Sequence, residues 1–301
     1  MDRAMTRAKH TVAVPVAGGD LTVGVWDADA SGAPTIVAIH GVTSSHLAWE
    51  LLAEALPGVR VVAPDLRGRG RSNTLEGPAG MAAHAEDLAA MFRALGLESA
   101  LVVAHSMGAF VGVTLAARHP DLVSRLVLVD GGLPLGAPAG LTPDELVAAI
   151  LGPTAARLDL RFGDVEDYLD FWRGHPAFVD DWSPQLEEYL AYDLVPAEQG
   201  TMRPATSYAT TVEDTIDMNT TTTIADSLAA LQRPTMLITV PRGLQNEEPG
   251  LYAEPHLGAV LADNPAIAHE RWDGLNHYTV VMSATGAQRL AGVVQQQLAL
   301  V

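Results

Sequence analysis

Five short apolar runs constrain this chain more than any other feature: TIVAI from Thr35, VRVVAP from Val59, LVVAH from Leu101, RLVLV from Arg125 and TMLITV from Thr235. Each has the length of a strand and is apolar at consecutive rather than alternate positions. A strand of that kind has to be covered on both faces. Between the first four lie segments with helical spacing: WELLAEALPG, stopped by Pro57-Gly58, then MAAHAEDLAAMFRALGL, ending at Gly96, then MGAFVGVTLAARHP. Strand, helix, strand at this interval gives an α/β fold with a mostly parallel, doubly wound sheet and helices on both faces. Ahead of it, HTVAVPVAGG and DLTVGVWDA alternate and read as a hairpin turning at Gly18-Gly19-Asp20.

The rhythm stops after RLVLVD and resumes only at TMLITV. In between, TPDELVAAIL, VEDYLDFWRG and PQLEEYLAYDLV have helical patterns, but no buried strand appears. The expected organisation is a core of residues 1–132 and 234–301 interrupted by a helical insertion at 133–233. After TMLITV, a helix is expected near Tyr252 to Ala262, a short strand in HERWDG and a last amphipathic helix in GAQRLAGVVQQQLAL. The insertion carries many of the aromatics, including Phe162, Tyr168, Phe171, Trp172, Phe178, Trp182, Tyr189, Tyr192 and Tyr208. At least half are expected to pack a small core of its own. Trp172, Trp182, Tyr189 and Tyr192 are the candidates to face a substrate between insertion and sheet.

Composition removes several classes of function. With 301 residues, 48% of them hydrophobic, the chain can bury one large core. The net charge of -18 opposes contact with phosphate backbones and anionic lipid surfaces. Neither nucleic acid nor membrane is therefore an expected partner. There is no cysteine, hence no disulfide, thiolate metal site or cysteine nucleophile. No histidine–carboxylate cluster has metal-ligand spacing, and the basic loop LRGRGRSN lacks the lysine of a phosphate-binding loop, so no cofactor or metal is expected. MDRAMTRAKHTVAV has no apolar stretch of export-leader length, and a cytoplasmic location is expected.

One run ends oddly. LVVAH passes directly into the helical pattern of MGAFVGV through Ser106, in the sequence Ala104-His105-Ser106-Met107-Gly108. A serine at a strand-to-helix turn stands clear of the sheet at the carboxyl ends of the strands, and small residues two before and two after let strand and helix approach. Such a serine needs a base. His277, in GLNHY after the last expected strand, lies at the same edge, whereas His40 and His105 read as structural. The base needs an acid to fix its tautomer. Asp130, at the end of RLVLVD, is preferred; Glu247 or Glu248, beside Asn246 in the loop after TMLITV, are the alternatives. The N–H groups of Met107 and Val42 are placed to receive an oxyanion.

Taken in order, IHG at 39–41, DLRGRGRS at 65–72, AHSMGA at 104–109, LVLVDGG at 126–132 and GLNHY at 274–278 resemble the capped α/β-hydrolase family. The resemblance implies a Ser106–His277–acid triad, an oxyanion hole at Val42 and Met107, and a cap at the insertion. Two positions depart from the pattern: Ala104 stands where glycine is usual, and no aspartate directly follows the penultimate strand. Some members carry the acid one strand earlier, where Asp130 stands. The expected activity is hydrolysis of a neutral or apolar carboxylic ester or lactone. A carbon–carbon bond hydrolase, an amidase and a non-catalytic ligand receptor on the same scaffold are the rivals.

Overall fold

The computed structural model describes residues 9–136 and 140–301, so MDRAMTRA and three residues of the insertion lie outside the described residues. The strands are β1 (Lys9–Val16), β2 (Gly19–Trp26), β3 (Thr35–Ile39), β4 (Arg60–Pro64), β5 (Ala100–His105), β6 (Val123–Val129), β7 (Leu194–Pro196), β8 (Met202–Pro204), β9 (Thr235–Thr239) and β10 (Ile267–Arg271). Eight of them form one sheet in the order β1-β2-β4-β3-β5-β6-β9-β10. β2 pairs antiparallel with β1 and β4, and every later neighbour is parallel. The hairpin turns at Ala17-Gly18, with Val16 opposite Gly19.

The helices α1 (Glu50–Ala55), α2 (Met81–Ala94) and α3 (Met107–Arg118) follow β3, β4 and β5. Consecutive strand residues point to opposite faces. Ile36 and Ala38 pack with Leu52 of α1, while Val37 and Ile39 pack with Leu88 of α2 and Val111 of α3. The doubly apolar runs are thereby accounted for. From β3 the chain steps outward to β4, then crosses back to β5 on the other side. The carboxyl ends of β3 and β5 are therefore a topological switch point, the crevice in which such sheets bind ligands.

Between β6 and β9 lie α4 (Pro143–Leu151), α5 (Pro153–Ala156), α6 (Val165–Arg173), α7 (Pro184–Tyr192), the β7–β8 hairpin, α8 (Tyr208–Thr220) and α9 (Thr223–Ala230). The hairpin and α8 are not evident from the sequence. YATTVEDTIDMNT is poor in strong helix formers, but Ser207 caps it and Thr211 and Thr215 bond back to carbonyls one turn earlier. The aromatics of this segment do not make a separate core. Tyr168, Trp172, Phe178 and Tyr189 join the apolar layer that includes Ile36, Val103 and Leu290. Beyond β9 the chain forms α10 (His256–Asp263), β10, the short α11 (Thr279–Met282) and α12 (Ala284–Leu298). β10 starts two residues earlier than expected, with Ile267 beside Thr235 in the parallel ladder. Among the described residues no helix is long and apolar enough to cross a membrane.

Candidate active site

Ser106 is the single residue between β5 and α3, with φ 55° and ψ −126°. A side chain incurs conformational strain in that region, and such strain persists only where the surroundings enforce it. Two backbone hydrogen bonds do so: Ser106 N–H donates to Val129 O at 2.9 Å, and Ser106 O accepts from Ala109 N–H at 2.9 Å. Gly108 is required by space, since a Cβ there would sit 2.4 Å from the carbonyl oxygens of both Ile39 and His40. Ala104 is accommodated because Gly112, one turn further along α3, faces its methyl; a Cβ at Gly112 would come within 3.3 Å of it.

His277 occupies the loop between β10 and α11. Asn276 folds that loop: its Oδ1 accepts from the N–H groups of Tyr278 (3.0 Å) and Thr279 (2.9 Å), and its Nδ2 donates to Ala177 O at 3.0 Å. His277 N–H donates to Arg242 O at 2.9 Å, which ties the loop to the one after β9. The ring then lies with Nε2 3.0 Å from Ser106 Oγ and Nδ1 2.7 Å from Asp130 Oδ2. Asp130 is fully buried at the end of β6, with φ 45°, and its N–H donates to Ile238 O at 2.7 Å. A hydroxyl, an imidazole and a carboxylate in this sequence can pass the hydroxyl proton to the ring while the carboxylate holds the tautomer.

Glu247 and Glu248 do not meet His277. Both are exposed, and the Glu247 carboxylate accepts instead from the N–H of Gln245 at 2.6 Å, closing its own loop. Asn246 Oδ1 accepts from Asn276 Nδ2 at 3.1 Å and so braces the histidine loop. The other histidines near the site are neutral and structural. Burial lowers His40 to about 4; its Nδ1–H donates to Gly41 O (2.7 Å) and its Nε2 accepts from Leu66 N–H (2.9 Å). Burial, followed by the neighbouring His277, holds His105 well below the usual imidazole range, and its Nε2–H donates to His277 O at 2.8 Å.

Val42 follows Gly41 in the loop after β3, and Met107 opens α3. Among the described residues, neither N–H meets a hydrogen-bond acceptor. Gly41 brings this loop close to the serine: a Cβ on it would stand 3.0 Å from Ser106 Cβ.

Two small cavities flank Ser106. One is apolar, walled by Phe110, Leu135, Ile150, Leu151, Met218 and Leu251 with Thr215 and Leu244. The other is lined in part by the hydroxyl-bearing residues Thr43, Ser44, Thr154, Tyr189 and Tyr278. They hold about 30 Å³ and 20 Å³, room for little more than a water each. A larger cavity of about 450 Å³ opens at the first residues of β9 and β10, the opposite end of the strands, and contains neither serine nor histidine. Among the described residues no group of three or more His, Asp or Glu could hold a metal ion.

Of the four aromatics expected to face substrate, Tyr189 alone lines these cavities, its hydroxyl donating to Ser44 Oγ at 3.1 Å. The other three pack elsewhere. Trp172 is buried edge-on against Tyr168, Phe178 and Tyr278, with Arg157 above its ring. Trp182 donates through Nε1 to Glu187 at 2.8 Å and stacks under Arg173. Tyr192 donates to Asp65 Oδ2 at 2.7 Å beneath Arg71. Each aromatic ring found a local partner, whereas the cavity is walled mostly by aliphatic side chains that no periodicity distinguishes from core. Tyr278, adjacent to His277 in GLNHY, is a lining residue that its sequence neighbour could have marked.

The comparisons agree with the fold. Residues 34–165 match the family model described as the alpha/beta hydrolase fold. The protein has that fold. It is similar to the lipase LipV of Mycobacterium tuberculosis, 38% identical over 163 residues that cover 53% of this chain and 59% of that protein. It is also similar to a putative carbamate hydrolase, RutD, of a Caulobacter species, 41% identical over 104 residues, 34% of this chain and 39% of that one. The match thus spans less than two thirds of either relative's length. Among solved structures, E-2-(acetamidomethylene)succinate hydrolase superposes with a TM-score of 0.74 over 95% of this chain and 100% of the other, at 22% identity.

Proposed function

We propose that the protein is a serine hydrolase that cleaves a carboxylic ester or lactone through an acyl-enzyme. The reading rests on one observation, the unbroken line from Ser106 Oγ through His277 to Asp130 at 3.0 and 2.7 Å. Ser106 Oγ attacks the carbonyl carbon as His277 Nε2 takes its proton. The charge that develops on the carbonyl oxygen is received by the Val42 and Met107 N–H groups. Collapse of the tetrahedral species breaks the bond to the alkoxide, which leaves with the proton from His277. Water, deprotonated by the same ring, then releases the acid. Asp130 accepts from the Nδ1–H and holds that tautomer throughout. Each oxyanion donor of this kind contributes about 10²- to 10³-fold in rate.

Among the described residues, both cavities beside Ser106 lack charged side chains other than those of the Ser106–His277–Asp130 line, which favours a neutral substrate with an apolar arm. Their small volumes favour a closed arrangement in which the 133–233 insertion acts as a cap that must move for substrate to enter. The relatives named a lipase and a putative carbamate hydrolase are in keeping with hydrolytic chemistry. A small-molecule substrate, with no nucleic-acid or membrane partner and no metal or cofactor, and a cytoplasmic location complete the reading. Steady-state hydrolysis of p-nitrophenyl esters from acetate to octanoate tests it. Turnover by the wild type that vanishes in Ser106→Ala is expected; equal turnover in both, or none in either, rejects the proposal.

A further inference from the structure

The loop DLRGRGRS has no part in the chemistry above, yet its central arginine reaches the site. Arg69 is completely buried. Its Nε–H donates to Val42 O at 2.7 Å, its Nη1–H to Arg67 O at 2.8 Å, and its Nη2 lies 3.6 Å from Met107 Sδ. The guanidinium thus touches both residues whose N–H groups are assigned to the oxyanion. Its counter-ion is Asp214 of α8, also fully buried, with Oδ2 2.5 Å from Nη1. The other oxygen of Asp214 accepts from Gly80 N–H at 2.7 Å and from His84 Nε2–H at 3.0 Å. Burial alone would raise the Asp214 carboxyl; the interactions with His84 and Arg69 outweigh it and hold the group well below the ordinary range. Asp214 therefore remains an anion across the physiological range.

Burying a full ion pair costs desolvation that an apolar pair of the same volume avoids, so such a pair is weak evidence for stability. What this one does is geometric. The Val42 carbonyl fixes the backbone torsion directly after the Val42 N–H, and a loop free to rotate there would carry that donor off its line. Meanwhile α8, which supplies Asp214, also supplies Thr215 and Met218 to the wall of the apolar cavity. The helix that feels the apolar arm of a substrate is therefore bonded, through one side chain, to the loop that meets the oxyanion.

We propose that Arg69 is a positioning residue for the oxyanion hole, clamped by Asp214 so that α8 seated on the substrate aligns the Val42 N–H. This rests on the reading of Val42 and Met107 as oxyanion donors. The test compares wild type, Arg69→Lys, and the double variant Arg69→Met with Asp214→Asn, which removes both charges together and leaves a side-chain amide oxygen able to accept from Gly80 and His84. Thermal melting, kcat, KM and the inhibition constant of an aliphatic trifluoromethyl ketone are read for each. That ketone adds to a serine as a tetrahedral oxyanion and reports on the donors directly. Expected is a melting temperature close to wild type for the double variant, KM within about threefold, and kcat down about 10- to 100-fold with ketone affinity lost in the same proportion. Wild-type kcat and ketone affinity in the folded double variant overturn the proposal. If that variant does not fold, Arg69→Lys decides by the same two readouts. Fluorophosphonate labelling of wild-type Ser106 separates the layers. A labelled wild type with unaffected variants removes only the role of Arg69, while an unlabelled, inert wild type removes the hydrolase reading and this role with it.

Discussion

Two buried histidine–carboxylate pairs in this protein look alike and do different things. His277 Nδ1 meets Asp130 at 2.7 Å, and His46 Nδ1 meets Asp65 at 2.8 Å, each pair with almost no exposure. The difference lies on the far side of each ring. His277 turns Nε2 to Ser106 Oγ, whereas His46 is enclosed by Trp26 and, edge-on, by Tyr192. The carboxylates differ as well. Asp65 also accepts from the N–H groups of His46 and Arg71, both at 2.8 Å, and from the Tyr192 hydroxyl. Burial would raise it, but the His46 contact and these bonds hold it below its ordinary value. A dyad becomes a candidate for proton transfer only through the third group it faces; without one it is a fastener between β4 and its neighbours.

Substitutions that separate the two dyads sharpen the comparison. His277→Ala should lower kcat by about 10⁴-fold or more while leaving melting nearly unchanged, as expected for a group that acts only in the reaction. Asp130→Asn should cost about 10³- to 10⁴-fold through the wrong tautomer, against less than about twofold for Glu247→Gln or Glu248→Gln. A larger loss at either glutamate would break the assignment of the acid. Asp65→Ala should instead destabilise by about 3–5 kcal/mol, because it strands buried donors and a histidine, with kcat of the surviving folded protein reduced far less than in Asp130→Asn. Chemical denaturation beside steady-state kinetics separates the two outcomes.

A third effect depends on pH. His40 is neutral in the folded chain down to about 4, while its unfolded form takes a proton near 6.5. Between those values the unfolded state binds more protons, so stability is complete above about pH 6.5 and falls as pH drops toward 4. The loss should be on the order of 3 kcal/mol for this residue. His40→Gln, measured by denaturant melts from pH 7 to 4.5, should flatten that slope. The smallest effect is expected at Trp182→Phe, which leaves ester selectivity unchanged within about twofold because the ring packs on Arg173 away from both cavities.

The same contrast explains what the sequence could reveal. Ser106, Asp130 and His277 each follow a recognisable strand or loop of the sheet, and a parallel sheet gathers the carboxyl ends of its strands at one edge. Their convergence is thus a consequence of topology that the apolar runs already specify. Position along the insertion carries no such rule. Trp172, Trp182 and Tyr192 lie on or beside amphipathic helices, and which side meets the cavity depends on how α6 and α7 dock, set by Arg157, Arg173 and Asp65 from outside each ring. The helix carrying Asp214, Thr215 and Met218 was hidden for a further reason: its threonines and aspartates are poor helix formers until capping and tertiary contacts hold them.

The most direct test of the central claim is reaction with a fluorophosphonate, followed by mass spectrometry of the peptides. The account requires one adduct, on Ser106, formed by the wild type and lost in His277→Ala, with Asp65→Asn still labelled wherever it remains folded. Labelling that ignores His277, or settles on another serine, would contradict it.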